Sequence, residues 1–541
     1  MLKKSLCLLL ALALLVLTAA CNSASPEPAA TASPATESPA ATVAPAESAP
    51  SESAGENAQF PDPYTLVYYM YAIKASDQDV VVEEAMNAIL KPKFNATIDL
   101  VMITSADWDS KALVPLRAGE KIDILYTPEW LYFMTNIANG SLMKLNDPEG
   151  PNGDLLAQYA PKTVEDLGPF IPGNQVDGYN YSVPIKKELC VPGGLIWNVD
   201  YVEKYGIDVA NTRTYEQIAP YLAMFKADNP AQYPILGTSS WSFISPFVRG
   251  FLNSMDPISI RIGEPGGTGG VPEIIWESPE ALAHVKQMGE WAEKGYVNPD
   301  AQLKTFSSSD SLNAGHFLVL FEQQKGGQVK AKELMSSSGN PDLRLIEQQT
   351  APSAIFTTDL GGSMVGIPIT CQDPVRTMSF INEMYQNTEL LNTMAWGVEG
   401  VHYTLDDQGR AIQTPMNGWS DSHGGKWTIL GSQFKQLVSN QEDIDKYQQM
   451  QALTDEAWNH ESLGFRFKQD NYSTEYAATY NVTDALLRGV LSGVNAAGLE
   501  EMIKGYKDAG VYDIILPAVQ EAYATWKADK MEKNPNFPAN S

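Results

Sequence analysis

Tyr64-Thr-Leu-Val-Tyr-Tyr-Met-Tyr71 is a run of aromatic, β-branched and apolar residues between turn-forming stretches, and it reads as a strand. Val80 to Leu90 then has apolar residues at helical spacing, and Ala96 to Ile103 (ATIDLVMI) reads as a second strand. Ser110 to Ala118 predicts a helix, Asp123 to Tyr126 (DILY) a third strand, and Leu131 to Ala138 another helix. Strands alternating with helices imply an α/β fold, a mostly parallel sheet with helices on both faces. Such sheets bind ligands in the crevice beyond the carboxyl ends of their strands. That rule places Tyr126, Thr127, Pro128, Glu129 and Trp130 at the edge of a candidate site.

A second α/β region follows. Gly193 to Val199 (GGLIWNV) predicts a strand, Tyr201 to Tyr205 a helix start, and Tyr215 to Asp228 an amphipathic helix. Pro279 to Lys294 predicts another helix with Ser278 as its N-cap, and His316 to Phe321 (HFLVLF) a short buried strand. The glycines of Gly263 to Gly270 lack the GK[ST] ending and the strand-to-helix setting of a phosphate loop, so they read as a plain loop. Beyond Thr370 strands become scarce. Pro374 to Met394, Phe434 to Leu437, Glu442 to Trp458, Thr483 to Lys504 and Pro517 to Lys530 predict helices.

The N-terminus reads differently. Lys3 and Lys4 precede an apolar run from Leu6 to Leu17, and Ala19 and Ala20 lead into Cys21. This is the pattern of a secretory signal, too short to span a membrane stably. It resembles a bacterial lipoprotein signal, in which the Cys is diacylated and becomes the mature N-terminus. Thr18 stands where such signals usually have Leu, with Leu17 one step further back. The alternative is an ordinary signal cut nearby that leaves Cys21 a plain thiol. Residues 22–60 are almost entirely Ala, Ser, Pro, Thr and Glu, with no Lys or Arg. They cannot bury enough apolar surface to offset ordering entropy, and they are expected to form a disordered tether.

The rest of the chain exceeds what one hydrophobic core supports, so at least two lobes are expected. The net charge of −28 argues against nucleic acid and anionic polymers as partners. Five His, no CxxC and no HExxH give no recognisable zinc site, and neither a metal nor a cofactor is expected.

Two further segments set the architecture. Tyr181-Ser-Val-Pro-Ile-Lys-Lys-Glu188 precedes the second region's first strand and helix, and Met364-Val-Gly-Ile-Pro-Ile-Thr370 follows that region. With Gly194-Leu-Ile-Trp-Asn-Val-Asp200 and Glu203-Lys-Tyr-Gly206, they resemble the crossover segments of bacterial extracellular solute-binding proteins of the carbohydrate, maltodextrin-binding-like group. A narrower resemblance is to the Lip-O-like lipoproteins of ABC sugar importers. It lies in Thr214-Tyr-Glu216, Tyr233-Pro-Ile235 and Trp396-Gly-Val-Glu-Gly-Val-His-Tyr403.

The resemblance implies a two-lobe clamp of the periplasmic-binding-protein type, with hinge crossover strands and a helical C-terminal extension. It divides the chain into a signal peptide (1–21), a tether (22–60), lobe one (61–185 with 365–440) and lobe two (186–364 with 441–541, extension included). It further implies an extracytoplasmic, lipid-anchored monomer that captures a carbohydrate, an oligosaccharide, and hands it to ABC permease subunits, without catalysis.

Sugars present apolar CH faces alternating with hydroxyls, so aromatic platforms beside carboxylates suit them. The resemblance directs attention to Tyr126, Glu129, Trp130, Glu188, Trp241, Phe243, Glu322, Trp396 and Tyr476, with Tyr480 beside the last. For each aromatic the alternative is core packing, and for Glu188 it is a salt bridge to Lys186 or Lys187. A secreted polysaccharide lyase or glycosidase is the competing function, and a non-sugar solute such as a peptide the competing ligand. Catalysis would need a paired-carboxylate site, and nothing marks one among 65 Asp and Glu. Finally, Pro184 and Pro368 are expected to face each other at the hinge. Cys190 and Cys371 are then carried apart in opposite directions, and both are expected to be reduced and buried.

Overall fold

The computed structural model describes residues 59–168, 170–237, 242–243, 257–260, 265–303, 306–416, 418–423, 426–534 and 537. The signal peptide with Cys21, the tether up to residue 58, and Gly263 of the glycine loop lie outside the described residues.

The strand read from Tyr64 spans Tyr64–Ala72 and lies parallel to Ala96–Thr104, in register from Tyr64↔Ala96 to Ala72↔Thr104. Its other side pairs in parallel with Ile124–Tyr126. Leu66, Tyr68, Met70 and Ala72 are wholly buried, while on the other face Thr65 is exposed, Val67 and Tyr71 half-buried and Tyr69 nearly buried, so one face is fully covered and the other in part. The helix Asp79–Phe94 covers one face through Val82, Met86, Leu90 and Phe94, the helical spacing seen in sequence. Each such side chain taken from water contributes roughly 1.5–3 kcal/mol.

Both crossover segments join this sheet. Met364–Gly366 runs antiparallel between Ile124–Tyr126 and Val183–Pro184, with Val365↔Tyr126 on one side and Met364↔Pro184 on the other. The expected facing of the two prolines is therefore corrected: Pro184 opposes Met364, while Pro368 bridges Leu142. A third pass of the chain was not anticipated. Lys186 N donates to Gly431 O at 3.0 Å and Gln433 N donates to Lys186 O at 2.7 Å, so residues 431–433 lie beside the first crossover.

The second sheet is built from Leu345–Gln349, Gly193–Asn198, Val319–Gln323 and Ile235–Gly237, in that order. Gly193–Asn198 is the most enclosed strand, with all six residues buried. Gly194 is required there, because a Cβ would stand 2.4 Å from Gln348 O on the neighbouring strand. The helix Tyr215–Asp228 opens with a capping box between Thr214 and Gln217, and Pro279–Glu293 opens on Ser278, which accepts from Ala281 N.

The expected helix from Pro374 to Met394 divides into Pro374–Gln386 and Thr388–Trp396, because the Asn387 side chain accepts from Leu390 N and starts a new helix. Likewise Thr483 to Lys504 is two helices, Ser473–Ser492 and Gly498–Asp508. The last helix, Leu516–Lys533, packs Val519 and Tyr523 with Ile258, Trp276, Leu487 and Met502 in a core of its own.

No disulfide joins Cys190 and Cys371. Both are buried, Cys190 Sγ against Ala354 O at 3.7 Å and Cys371 Sγ against Thr377 Oγ1 at 3.3 Å.

Candidate functional site

The carboxyl ends of the three parallel strands meet in a cluster of aromatic rings. Tyr71 lies next to the end of the first strand, Tyr126 closes the third, and Trp108 and Trp130 follow the second and third. Tyr71 is central, with ring centroids 6.2 Å from Trp108, 5.6 Å from Tyr126, 5.4 Å from Trp130 and 6.3 Å from Trp427. Trp130 and Trp427 are 6.1 Å apart. The rings differ in access. Trp108 and Tyr126 are buried, Tyr71 and Trp427 are half-buried, and Trp130 is 36% exposed. A large aromatic that stays open to solvent on a bed of buried rings is a rigid platform with an apolar face. Trp130 Nε1 donates to Gly362 O at 2.8 Å, which ties the platform to the second crossover.

Next to the platform the backbone is strained. Tyr132 takes φ +63°, a left-handed conformation that a bulky side chain rarely adopts. Such strain persists where the surrounding structure enforces it. Burial, with Asp109 and Tyr480 beside it, holds the Tyr132 hydroxyl above its ordinary pKa.

Glu129 leads to the other wall. Its Oε1 accepts from Arg466 Nε at 2.7 Å, while Arg466 Nη1 donates to Gly173 O and Nη2 to Asn174 Oδ1, each at 2.8 Å. Burial pushes the Glu129 carboxyl above its ordinary pKa and Arg466 opposes that rise. Glu129 and Arg466 line a cavity together with Met134, Ile260, Thr357, Phe465 and Phe467. Met134 belongs to the first core, whereas Ile260 and Phe465 belong to the core of the C-terminal helices. The cavity therefore lies between the first core and that of the C-terminal helices. A second ion pair, Lys468 to Asp177 at 3.0 Å, crosses at the surface.

The other sequence-predicted residues divide. Tyr126 is wholly enclosed with its hydroxyl 3.0 Å from Ser363 Oγ, so it supports the platform from beneath. Glu188 is buried in an ion network, 3.3 Å from Lys325 and 3.9 Å from Lys187. Burial acts to raise its pKa, and Lys325 and then Lys187 outweigh this and hold the carboxyl below its ordinary range. The network continues through Lys325 to Glu333, Lys446 and Glu442. Lys186 pairs instead with Asp166 at 3.0 Å.

Phe243 is sealed in the second lobe's core with Trp197 and Phe225. Glu322 is buried on its strand, where its Oε1 accepts from Gln323 N at 2.9 Å. Trp396 is buried under Lys426, whose Nζ stands 3.6 Å from the ring centroid, and its Nε1 donates to Leu437 O. Burial pushes the Lys426 ammonium down to about 8. Tyr476 is half-buried against the C-terminal core, and Tyr480 is 43% exposed. Trp241 lies outside the described residues.

Tyr71, Trp108, Trp427 and Arg466 were missed in sequence. Tyr71 carried a usable signal, being the last aromatic of a parallel strand. Arg466 carried none, because its partners Glu129 and Asn174 are remote in the chain.

Residues 461–528, which include Arg466 and the C-terminal helices, match a family described as a domain of unknown function, DUF3502. Over 478 residues the chain is 23% identical to a carbohydrate ABC transporter substrate-binding protein of Streptococcus pneumoniae serotype 4, covering 87% of this chain and 92% of that protein. The fold is similar to that of the N-glycan transport solute binding protein NgtS from Streptococcus pneumoniae in complex with Man1GlcNAc. The TM-score is 0.70 at 19% identity, covering 86% of this chain and 100% of that one. It is also similar to the alginate-binding protein AlgQ2 without calcium ion, with a TM-score of 0.59 at 15% identity, covering 86% and 98%. The fold is the α/β clamp of two-domain solute-binding proteins.

Proposed function

We propose that this chain is the extracytoplasmic solute-binding subunit of an ABC importer, and that it captures a carbohydrate, an oligosaccharide, between its lobes. The observation that carries this reading is Trp130, exposed on a bed of aromatic rings beside a cavity whose opposite wall comes from the C-terminal helices. An exposed indole offers an apolar face to sugar CH groups, and the neighbouring Glu129 offers an oxygen to their hydroxyls. The names of the relatives, a carbohydrate ABC transporter substrate-binding protein and a binding protein complexed with Man1GlcNAc, support the same ligand class.

Capture follows from the topology. Three passes of chain join the lobes, and small φ/ψ changes at such a hinge move one lobe against the other. A ligand that touches both walls binds the closed form better, and that difference in affinity drives closure. The closed surface is what permease subunits would read. The protein acts as a monomer that binds and releases its ligand unchanged. The Lys3 to Cys21 pattern supports export and diacylation at Cys21, with residues 22–60 as the tether from the membrane. Among the described residues no helix is long and apolar enough to cross a membrane.

Thermal shift across a panel of neutral and acidic oligosaccharides, followed by mass spectrometry of each hit after prolonged incubation, tests the reading. A ligand bound only by the folded state raises the melting point by mass action. A rise with intact glycan is expected. Cleaved glycan would favour the lyase or glycosidase reading, and a panel without any rise would overturn carbohydrate capture.

A further inference from the structure

Among the described residues the interlobe cavity has two charged side chains in its lining, Glu129 and Arg466, and they are not equivalent. Arg466 is committed to the protein. Its Nε, Nη1 and Nη2 are held by Glu129, Gly173 and Asn174 at 2.7–2.8 Å. Its side chain is 5% exposed, so the guanidinium offers little to a ligand. On Glu129 both contacts with Arg466 fall on Oε1, and Oε2 has no hydrogen-bond partner among the described residues. The carboxylate is also fixed in place. Gly361 packs so closely that a Cβ there would come within 2.5 Å of Glu129 Cδ, and Glu129 N donates to Gly361 O at 3.0 Å.

An ionised carboxylate accepts hydrogen bonds and donates none. A sugar hydroxyl can donate to Glu129 Oε2. A uronate carboxylate cannot, and it would bring like charge beside Glu129 in a site whose one cation among the described residues is already paired. The remaining lining, including Ile260, Thr357, Phe465 and Gln469, supplies apolar contact and neutral hydrogen bonding.

We propose that Glu129, oriented by Arg466, sets the ligand class: the cavity takes uncharged, hydroxyl-rich sugars and rejects uronate-bearing ones. The inference rests on the capture reading above. It assigns Arg466, from the segment matching the domain of unknown function, a positioning role in specificity.

The test measures calorimetric affinities of the full chain for neutral gluco-, manno- and galacto-oligosaccharides, each beside its C6-oxidised counterpart. Hits are expected among the neutral members, with oxidised counterparts roughly ten- to a hundredfold weaker. Glu129→Gln keeps the shape and the bond to Arg466 while replacing the charge, and it is expected to narrow that gap. An oxidised oligosaccharide that binds as tightly as its neutral parent overturns the inference and leaves capture standing. A folded Glu129→Gln variant with undiminished discrimination does the same. The wild-type comparison decides the matter even if that variant fails to fold. If no oligosaccharide of either kind binds, the capture reading falls and the inference falls with it.

Discussion

Trp130 and Trp108 are two indoles of one cluster with opposite duties. Trp108 is 1% exposed and fills the space beneath Tyr71, whereas Trp130 is 36% exposed above it. Trp130→Ala is expected to weaken the best glycan of the panel by about 1–3 kcal/mol, as truncated hot-spot aromatics do, with the melting point nearly unchanged. Trp108→Ala is expected to lower stability by about 3–5 kcal/mol through the cavity it leaves. Calorimetric titration and chemical denaturation of both variants check this, and full glycan affinity in Trp130→Ala would remove Trp130 from the site. At this scale the sequence was partly legible. Trp130 was expected at the crevice edge because it lies just past a parallel strand, and it is the exposed ring of the cluster. Phe243 and Trp396 looked the same by composition, yet apolar neighbours enclose them, and burial by remote segments leaves no local pattern. Glu188 shows the limit for charge: Lys187 was visible beside it, but its nearer partner Lys325 comes from the end of another strand.

Elements with a strong period were read well. The strands Tyr64–Ala72 and Ala96–Thr104 extend their expected ranges by one residue, and Tyr215–Asp228 has the expected bounds. The misreading of Thr483 to Lys504 as one helix has a definite cause. Gly493 takes φ +77° and lies against the helix Pro279–Glu293, where a Cβ would stand 2.2 Å from the carbonyl carbon and oxygen of Met288. The helix stops so that two backbones can touch, and that requirement is tertiary. Gly206 caps a helix at φ +62° with nothing within 4 Å of its Cβ position. Gly206→Ala is therefore expected to cost about 1 kcal/mol, from the left-handed backbone alone. Gly493→Ala should cost more than about 3 kcal/mol, because the helices must also separate. Urea denaturation of the pair is the measurement, and equal losses would show that the close approach is not tight.

In the whole molecule the region of the first sheet and the C-terminal segment are bridged by Glu129–Arg466 and Asp177–Lys468. Small-angle scattering with and without the best glycan should show a smaller radius of gyration at saturation. An unchanged radius would argue against closure on ligand. Two crossovers were legible because each has a short proline-bearing strand signature. The third, at residues 431–433, was not, since it adds single bridges to Lys186 within irregular chain. That aromatic residues gather at the strand ends was legible, and that residues 465–469 line a cavity with Glu129 was not.

The antiparallel strand Met364–Gly366 has a consequence for how the chain acquires its structure. It inserts between Ile124–Tyr126 and Val183–Pro184, so the first sheet cannot be completed from the residues that begin it. A chain emerging from its N-terminus leaves the edge of Ile124–Tyr126 unpaired until residues 364–366 have followed. Such non-local pairing is slow, and open edges invite wrong partners.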